Sequence, residues 1–151
     1  ITAARAVNRS MPSHVAGVVT DLLWSAGVPA GEAKVLLLGW SYKAEVGDPR
    51  ETPAEPLAAT LMGKNIKVGA WDPHIESALY PEGVVPVEDI SDAEGYDMVI
   101  LVTAHKACLE IDWRALLEKM RTPIVYDGRR VLDLNDLESI GWTTHAVGKP
   151  I

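Results

Sequence analysis

The sequence predicts an α/β domain built on a doubly wound, mainly parallel sheet. Three observations lead to this fold class. Short, continuous apolar runs, typical of strands buried on both faces, alternate along the chain with amphipathic segments of helical period. The connections between them are short and rich in Gly, Pro and Asp, as in chains that pass repeatedly from strand to helix. A long helical segment precedes the first apolar run.

This first segment, 2–26, is predicted to form one long helix. Pro12 interrupts the pattern and is expected to kink the helix or divide it near Met11. Gly27 and Pro29 are expected to end it, since they follow in the order usual after a helix. The residues predicted to form its apolar face are Met11, Val15, Val18 and Leu22.

The strands are predicted from apolar runs bounded by turn residues. Lys34-Val-Leu-Leu-Leu-Gly39 and the run 97–103 have the pattern of central strands. The remaining predicted strands are 66–71, 84–87, 123–126 and 142–147. Because helices alternate with these strands, the carboxyl ends of the strands are expected to meet at one edge of the sheet. Doubly wound sheets bind their ligands at that edge.

Three further helices are predicted between the strands. Thr52-Pro-Ala-Glu55 has the pattern of a capping box with proline at the first helical position. Pro56 allows an alternative start three residues later, because it cannot donate the first helical hydrogen bond. Gly63 is expected to close this helix. The other two helices are predicted over 112–120 and 134–140.

Composition narrows the function classes. The 151 residues fit one domain, and a net charge of −7 argues against general nucleic-acid binding. No apolar run approaches the ~20 residues that span a bilayer, and cytoplasmic residence is expected. Cys108 is the one cysteine, which excludes an internal disulfide, and we expect an unreactive thiol because no catalytic partner is evident. The spacing of the four histidines suggests no metal site.

The loop after the first predicted strand is polar but lacks the glycine-rich pattern that binds a dinucleotide pyrophosphate. Gly39 is followed by Trp-Ser-Tyr-Lys, without a second glycine two residues later. Lys43 offers an ammonium group for phosphate or base recognition, or is simply a solvated surface lysine. Arg50 can pair with Asp48 or with Glu45 and order the loop, or it can reach another domain.

Two other loops carry polar side chains at the same predicted edge. Asp72 ends the second strand, where it can bind a ribose or open an Asp-Pro turn. Gly128 is expected to adopt a left-handed turn after the fifth strand, with Arg129 and Arg130 following it. Paired guanidinium groups bind phosphate through parallel hydrogen bonds, although an arginine pair is equally compatible with a solvated face.

Four stretches of the chain, taken together and in their order along the sequence, resemble those of a known protein family. They are Ala6-Val-Asn-Arg-Ser-Met-Pro12, the loop 35–53 with its lysine, Trp71-Asp-Pro73, and Tyr126-Asp-Gly-Arg-Arg130. In these stretches the chain resembles the C-terminal, UDP-binding domain of the UDP-glucose/GDP-mannose dehydrogenase family. The likeness covers nearly the whole chain.

The resemblance implies a Rossmann-like fold, with 1–26 as a connecting helix from a central domain and 27–151 as the UDP-binding domain. It also implies a parent enzyme that oxidises the C6 hydroxyl of a UDP-sugar to a carboxylate, using two NAD in succession. The resemblance assigns Asp48 and Arg50 to ordering the loop or the domain interface. The residues that it assigns to UDP binding are Tyr42, Lys43, Arg129 and Arg130.

The differences from the family pattern also shape the expected function. The NAD fingerprint and the family's catalytic cysteine motif are absent from this sequence, and Cys108 is not that cysteine's equivalent. We therefore interpret the chain, which begins at Ile1, as a fragment that binds UDP weakly and has no activity alone. The NAD and central domains are expected outside it, in a parent enzyme that is a homodimer or larger. The pattern Asn8-x-x-Met11-Pro12 favours enzymes acting on UDP-N-acetylhexosamines, such as UDP-N-acetyl-D-mannosamine.

Two other functions are compatible with the sequence. A non-catalytic nucleotide- or coenzyme A-binding module would have the same sheet and would need no catalytic cysteine. It does not account for cationic side chains in two separate loops. A structural or oligomerising domain would use the apolar face of the helical segment 11–22 as a partner surface.

Overall fold

A computed structural model describes residues 2–148 of the chain, and the side chains of residues 13–148. Its strands are β1 (Lys34–Leu38), β2 (Lys67–Trp71), β3 (Val85–Pro86), β4 (Met98–Leu101), β5 (Ile124–Asp127) and β6 (Thr143–Ala146). They form one sheet in the order β3-β2-β1-β4-β5-β6. Every neighbouring pair is parallel, so the predicted doubly wound α/β fold is confirmed.

Five α-helices are present within residues 2–148. They are α1 (Thr2–Ser25), α2 (Ala54–Gly63), α3 (Lys106–Leu109), α4 (Trp113–Lys119) and α5 (Leu134–Ile140). The four predicted helices are confirmed, whereas α3 was missed because four residues are too few to show a helical period. No helix in this part of the chain combines the length and apolar character that crossing a bilayer requires.

Helix α1 is continuous across Pro12, so a division near Met11 is wrong, whereas a kink there stays a prediction. The side chains of Asn8 and Met11, which carried sequence predictions, lie outside the described residues. At its other end the helix closes as predicted, where the Val28 N–H donates to the Leu23 carbonyl at 2.9 Å. The buried face is displaced by one row of side chains from the predicted one. It contains Ala16, Val19, Leu22 and Leu23, while Val15 and Val18 are only partly buried.

Alternate residues of the four central strands, β2, β1, β4 and β5, pack into two separate apolar cores. On β1, Val35 and Leu37 pack into the core that contains the buried faces of α1 and α2. Leu36 and Leu38 pack into the opposite core, with residues of α4 and α5. Because both faces of the sheet are covered, the interior of β1 is apolar at every position, as the sequence predicted.

The start of α2 resolves the two alternatives in the sequence. Pro53 has helical dihedral angles, and its carbonyl accepts the Leu57 N–H at 3.3 Å. The Thr52 hydroxyl accepts the Ala54 N–H at 3.1 Å and caps the helix. The helix therefore begins at Ala54, with Pro53 at its N-cap, and not three residues later. The Glu55 half of a capping box is not formed among the described residues.

Candidate functional site

The loop 39–53 leaves the carboxyl end of β1 and leads to α2. It begins at Gly39, whose φ is 91°. A Cβ at this position would lie 2.5 Å from the carbonyl oxygen of Thr103, in the loop after β4. The Thr103 hydroxyl donates to the Ser41 carbonyl at 2.7 Å. The two loops are therefore in direct contact, which only a glycine at position 39 permits.

A buried carboxylate, Asp72 at the end of β2, fixes the first residues of this loop. Its Oδ2 accepts the N–H groups of Trp40 at 2.6 Å and Ser41 at 2.8 Å, and the Ser41 hydroxyl at 2.8 Å. The ring Nε2 of His105 lies 2.8 Å from the same oxygen, and Oδ1 accepts the His74 N–H at 2.8 Å. Burial acts to raise the pKa of Asp72, but these hydrogen bonds outweigh it and lower the pKa below its ordinary value.

The structure decides between the two roles that the sequence left open for Asp72. Its bond to the His74 N–H is the two-residue link of an Asx turn, as expected for an Asp-Pro turn. Both carboxylate oxygens are occupied by protein donors, and the side chain is inaccessible to solvent. Asp72 therefore holds the loops together and is not available to bind a ribose.

His105 is the residue that the sequence interpretation most undervalued. Its ring is completely buried and lies between two loops. Ring atom Nδ1 accepts the Glu45 N–H at 2.9 Å, so the hydrogen-bond network assigns the ring proton to Nε2, facing Asp72. The only sequence signal for this role was the position of His105 just after the most apolar strand.

Glu45 extends this network to the surface. Its Oε2 lies 3.0 Å from Nε2 of His74 and 3.3 Å from Nδ1 of His105, and its Oε1 accepts the Lys106 N–H at 3.4 Å. Burial acts to raise the pKa of Glu45, but the hydrogen bonds from His74 and from the Lys106 N–H lower it overall. The spacing of the histidines along the sequence did not reveal this convergence, since residues distant in the sequence come together only at the carboxyl edge.

The residues predicted to surround Lys43 lie in the same loop. The Tyr42 N–H donates to the Asp48 carbonyl at 2.7 Å and closes the segment that contains Lys43. Arg50 forms a two-bond pair with Asp48, Nε to Oδ1 at 3.0 Å and Nη2 to Oδ2 at 2.9 Å, and not with Glu45. These bonds from Arg50 lower the pKa of Asp48 to about 2. Tyr42 and Lys43 are exposed, and among the described side chains Lys43 has no hydrogen-bond or ionic partner.

The arginine motif follows β5 in a turn held by Asp127. The Oδ1 atom of Asp127 accepts the Arg129 N–H at 2.9 Å, and Oδ2 accepts the Leu132 N–H at 2.7 Å. The predicted left-handed turn at Gly128 is wrong, since the left-handed residue is Arg130, with a φ of 56°. Glycine is required at 128 for a different reason. A Cβ there would lie 2.5 Å from the Leu101 carbonyl oxygen.

The two cationic loops lie at one edge of the sheet. β4 lies between β1 and β5, so the strand ends that carry Lys43 and Arg129 are two strand spacings apart, roughly 10 Å. Arg129 and Arg130 are both exposed. The Arg130 guanidinium lies near Gly148, beyond β6, and so on the side of its loop away from β1. The structure thus brings Tyr42, Lys43, Asp48 and Arg50 into one loop and the two arginines into another at the same edge.

The residues of this edge do not fit NAD. A dinucleotide pyrophosphate needs a short glycine turn that leads directly into a helix, and an accessible acidic residue for the ribose. Here the loop 39–53 separates β1 from α2, and its second residue, Trp40, is buried. The acidic residue at the end of β2, Asp72, is engaged as described above.

Cys108 lies beneath the same edge, in α3. Its Sγ donates to the Thr103 carbonyl at 3.5 Å, and the side chain is fully buried. Burial raises the pKa of the Cys108 thiol to about 12, so the group is protonated at neutral pH. The His105 ring is engaged with Asp72 and Glu45 and does not activate this thiol.

Comparison with known proteins agrees with this geometry. Residues 36–134, well over half of the chain, match the model of the UDP-glucose/GDP-mannose dehydrogenase family, UDP binding domain. UDP-glucose 6-dehydrogenase of Rickettsia conorii is 28% identical over 95% of this chain and 34% of its own length. UDP-N-acetyl-D-mannosamine dehydrogenase of Pyrococcus horikoshii is 29% identical over 87% of this chain and 30% of its own length. The chain therefore spans about a third of these relatives.

The solved structures show the same fold. The UDP-D-ManNAc dehydrogenase structure from Pyrococcus horikoshii superposes with a TM-score of 0.78 at 25% identity, over 96% of this chain and 32% of that one. An NDP-N-acetyl-D-galactosaminuronic acid dehydrogenase from Methanosarcina mazei superposes with a TM-score of 0.87 at 24% identity, over 98% of this chain and 31% of that one. Sequence match and fold together lead to one conclusion. The chain belongs to the UDP-glucose/GDP-mannose dehydrogenase family and comprises its UDP-binding domain.

Proposed function

We propose that this chain is the nucleotide-recognition part of an NAD-dependent UDP-sugar 6-dehydrogenase, and that Lys43 and Arg129 hold the diphosphate of UDP. The observation that carries the proposal is the position of these two cations, in separate loops at one edge of a domain that belongs to this family. Tyr42 lies beside Lys43 and adds an exposed aromatic ring, and Arg130 assists from the second loop.

Two properties of the loops support the assignment of Lys43 and Arg129 to the diphosphate, namely cations that are unpaired within residues 13–148 and backbones that are fixed. A diphosphate needs donors that are free of other partners, and Lys43 and Arg129 have none among the described side chains. The loops that carry them are nevertheless fixed, one by Asp72 and the Asp48–Arg50 pair and the other by Asp127. Fixing the backbone in advance lowers the entropy lost when the nucleotide binds. Asp48 and Arg50 are proposed to order the loop or contact another domain.

The proposed parent enzyme divides recognition from chemistry. Segment 1–26 connects to a central domain, and residues 27–151 bind UDP. NAD would bind elsewhere in the polypeptide, since the residues of this chain do not fit it, and two NAD in succession would each accept one hydride. Binding the nucleotide far from the reacting C6 carbon lets remote binding energy drive domain closure. The domain alone presents an open edge, where water screens both cations, so its affinity for UDP is weak and it does not catalyse the reaction.

The proposal also covers the sugar part of the substrate and the oligomeric state of the parent enzyme. The Asn8-x-x-Met11-Pro12 pattern supports a UDP-N-acetylhexosamine as substrate, and the parent enzyme is proposed to be a homodimer or larger. NADH formation by the full-length enzyme with UDP-N-acetylmannosamine, UDP-N-acetylglucosamine and UDP-glucose tests the sugar. Higher kcat/KM for UDP-glucose than for both N-acetyl sugars would reject the hexosamine assignment.

Calorimetric titration of the 151-residue chain with UDP, NAD and coenzyme A tests the proposal. We expect UDP to bind more tightly than NAD or coenzyme A. Arg129→Ala and Lys43→Ala should each weaken UDP binding by about 1.5–3 kcal/mol, since each removes a charged hydrogen bond to phosphate.

Lys64→Ala is the matched control for these variants. Lys64 is exposed and lies between α2 and β2, at the amino edge of the sheet, so its loss should leave UDP binding unchanged. Tighter binding of NAD or coenzyme A than of UDP would contradict the proposal, as would wild-type UDP affinity in both loop variants.

A further inference from the structure

Three side chains from three loops converge beside the Lys43 segment. Glu45 comes from the loop after β1, His74 from the loop after β2 and His105 from the loop after β4. One ligand atom of each lies within 4.8 Å of the other two. This group, called the Glu45–His74–His105 cluster below, has no role in the proposed binding of UDP.

The distances from Glu45 to the two histidines of this cluster are close to those within a metal coordination shell. Zn²⁺ binds imidazole nitrogen and carboxylate oxygen at 2.0–2.2 Å, so neighbouring ligand atoms of a tetrahedral site are roughly 3.3 Å apart. Glu45 Oε2 lies 3.0 Å from His74 Nε2 and 3.3 Å from His105 Nδ1. Two of the three separations are therefore close to the one that a single ion imposes, and the two histidine nitrogens lie within 4.8 Å of each other.

The surroundings of the cluster also fit a metal site. A histidine ligand usually donates its second ring N–H to a carboxylate, which fixes the ring and makes it a better ligand. His105 does this, since Nε2 lies 2.8 Å from the buried carboxylate of Asp72. The Glu45 and His74 side chains are 41% and 38% exposed, which leaves an approach for the ion and for a fourth ligand from solvent.

We propose that the Glu45–His74–His105 cluster binds one divalent transition-metal ion of the Zn²⁺ type. The ion would join the loops after β1, β2 and β4 and so fix the segment that carries Lys43. Two imidazoles and one carboxylate suit Zn²⁺ and its neighbours in the first transition row better than Mg²⁺ or Ca²⁺, which prefer oxygen ligands.

Binding of the ion requires one local exchange. Nδ1 of His105 accepts the Glu45 N–H in this structure, and the same lone pair would bind the metal. Glu45 lies in the exposed loop with a φ of 63°, a conformation that non-glycine residues adopt at a cost. A turn of this peptide would free Nδ1 while the carboxylate stays within reach of it.

Titration of the tag-free, chelator-treated chain with Zn²⁺, in the absence of nucleotide, tests the proposal. We expect saturable binding of one Zn²⁺ per chain by calorimetry and a rise in Tm on addition of the ion. His74→Ala and Glu45→Gln should each weaken binding by more than about tenfold. Both side chains are partly exposed, so the variants should fold, and circular dichroism checks this. Co²⁺ should give the visible absorption spectrum of a four-coordinate site.

His14→Ala is the matched control, because His14 is exposed on α1, outside the cluster. Its Zn²⁺ affinity should equal that of the wild type. The proposal is overturned if the wild-type chain shows no saturable binding of Zn²⁺, if both cluster variants keep wild-type affinity, or if His14→Ala weakens binding as much as they do. None of these outcomes depends on whether the chain binds UDP.

Discussion

Gly39 allows the loops after β1 and β4 to touch. Its positive φ is unfavourable for other residues, and a Cβ would meet the backbone of Thr103 at 2.5 Å. Gly39→Ala should therefore lower the free energy of unfolding by about 3 kcal/mol, because the obstructing atom belongs to the backbone and cannot rotate away. Urea denaturation followed by circular dichroism measures this change.

Gly17→Ala provides the matched comparison within the same chain. Gly17 lies inside α1, where a Cβ would meet no atom within 4 Å. Alanine is the better helix former, so this variant should be more stable than the wild type by about 0.5–1 kcal/mol. If both substitutions change stability equally, close backbone approach is not what position 39 requires.

Single residues also show the limit of the sequence interpretation. Lys43 and the arginine pair were recognisable because a cation after a buried strand is a local signal. The convergence of Asp72, His105 and Glu45 gave no such signal, since the residues are about 30 positions apart and meet only when the parallel sheet aligns the strand ends. The turn after β5 was misassigned because the close approach of Leu101 to Gly128 is likewise a contact between strands.

At the scale of the element, the loop 39–53 behaves as one unit anchored at its start. Asp72 accepts both the Trp40 and Ser41 N–H groups, so Asp72→Asn, with one acceptor oxygen instead of two, should leave these amides less protected. Hydrogen exchange should become faster for residues 40–46, and UDP affinity should fall although residue 72 does not touch the nucleotide. Hydrogen–deuterium exchange by mass spectrometry follows the first effect and calorimetry the second.

Asp48→Asn is the comparison for this experiment. It weakens an exposed ion pair in the same loop, where solvent screens the charges, while the Asp48 carbonyl still accepts the Tyr42 N–H. Exchange at residues 40 and 41 should remain as in the wild type. Equal acceleration in both variants would mean that the loop opens as a whole and is not anchored at Asp72.

The extent of each element was predictable where the signal was local. The apolar runs located all six strands to within a few residues, and Thr52-Pro53 located the start of α2. The buried face of α1 was displaced in the prediction because Val15 and Val18 lie in a row adjacent to the one that packs, and among the described side chains only Leu22 belongs to both. The packing of α2 and the sheet against α1 decides which row of side chains is buried. The sequence of α1 alone does not indicate this choice.

Across the whole molecule, buried carboxylates link stability to pH. At the amino edge of the sheet, Asp97 accepts Nε of Arg121 at 2.8 Å, the Thr122 hydroxyl at 2.8 Å and the Lys34 N–H at 3.0 Å. Burial acts to raise the pKa of Asp97, but these bonds outweigh it and lower the pKa, as happens for Asp72 at the opposite edge.

A group whose pKa is lowered by folding stabilises the protein above its unfolded pKa, about 3.9 for aspartate. That contribution should be complete at neutral pH and should be lost as the pH falls below about 4 towards the folded pKa values. Tm measured by calorimetry from pH 7 to pH 2.5 should therefore decline steeply only in the acid range. Asp97→Asn should lower stability by about 2 kcal/mol at pH 7 and flatten the acid decline, because a neutral amide replaces the buried carboxylate that accepts from Arg121, Thr122 and the Lys34 N–H.

The fold class followed from alternation of strand and helix, which is a property of the whole sequence. The position of the loops at one edge then followed from the rules for parallel sheets, whereas the strand order came from the structure. No comparable rule predicts which side chains of different loops meet at that edge. It was therefore possible to predict from the sequence that Lys43 and Asp48 lie in one loop. The hydrogen bond between Asp72 and His105 became evident only from the three-dimensional structure.

The outermost strand of the sheet has a consequence for behaviour at high protein concentration. β3 contains only Val85 and Pro86, and both are exposed. A proline has no N–H to offer to an incoming chain, and two residues provide too short a template for strand addition. This margin of the sheet therefore resists the edge-to-edge growth that begins many aggregates.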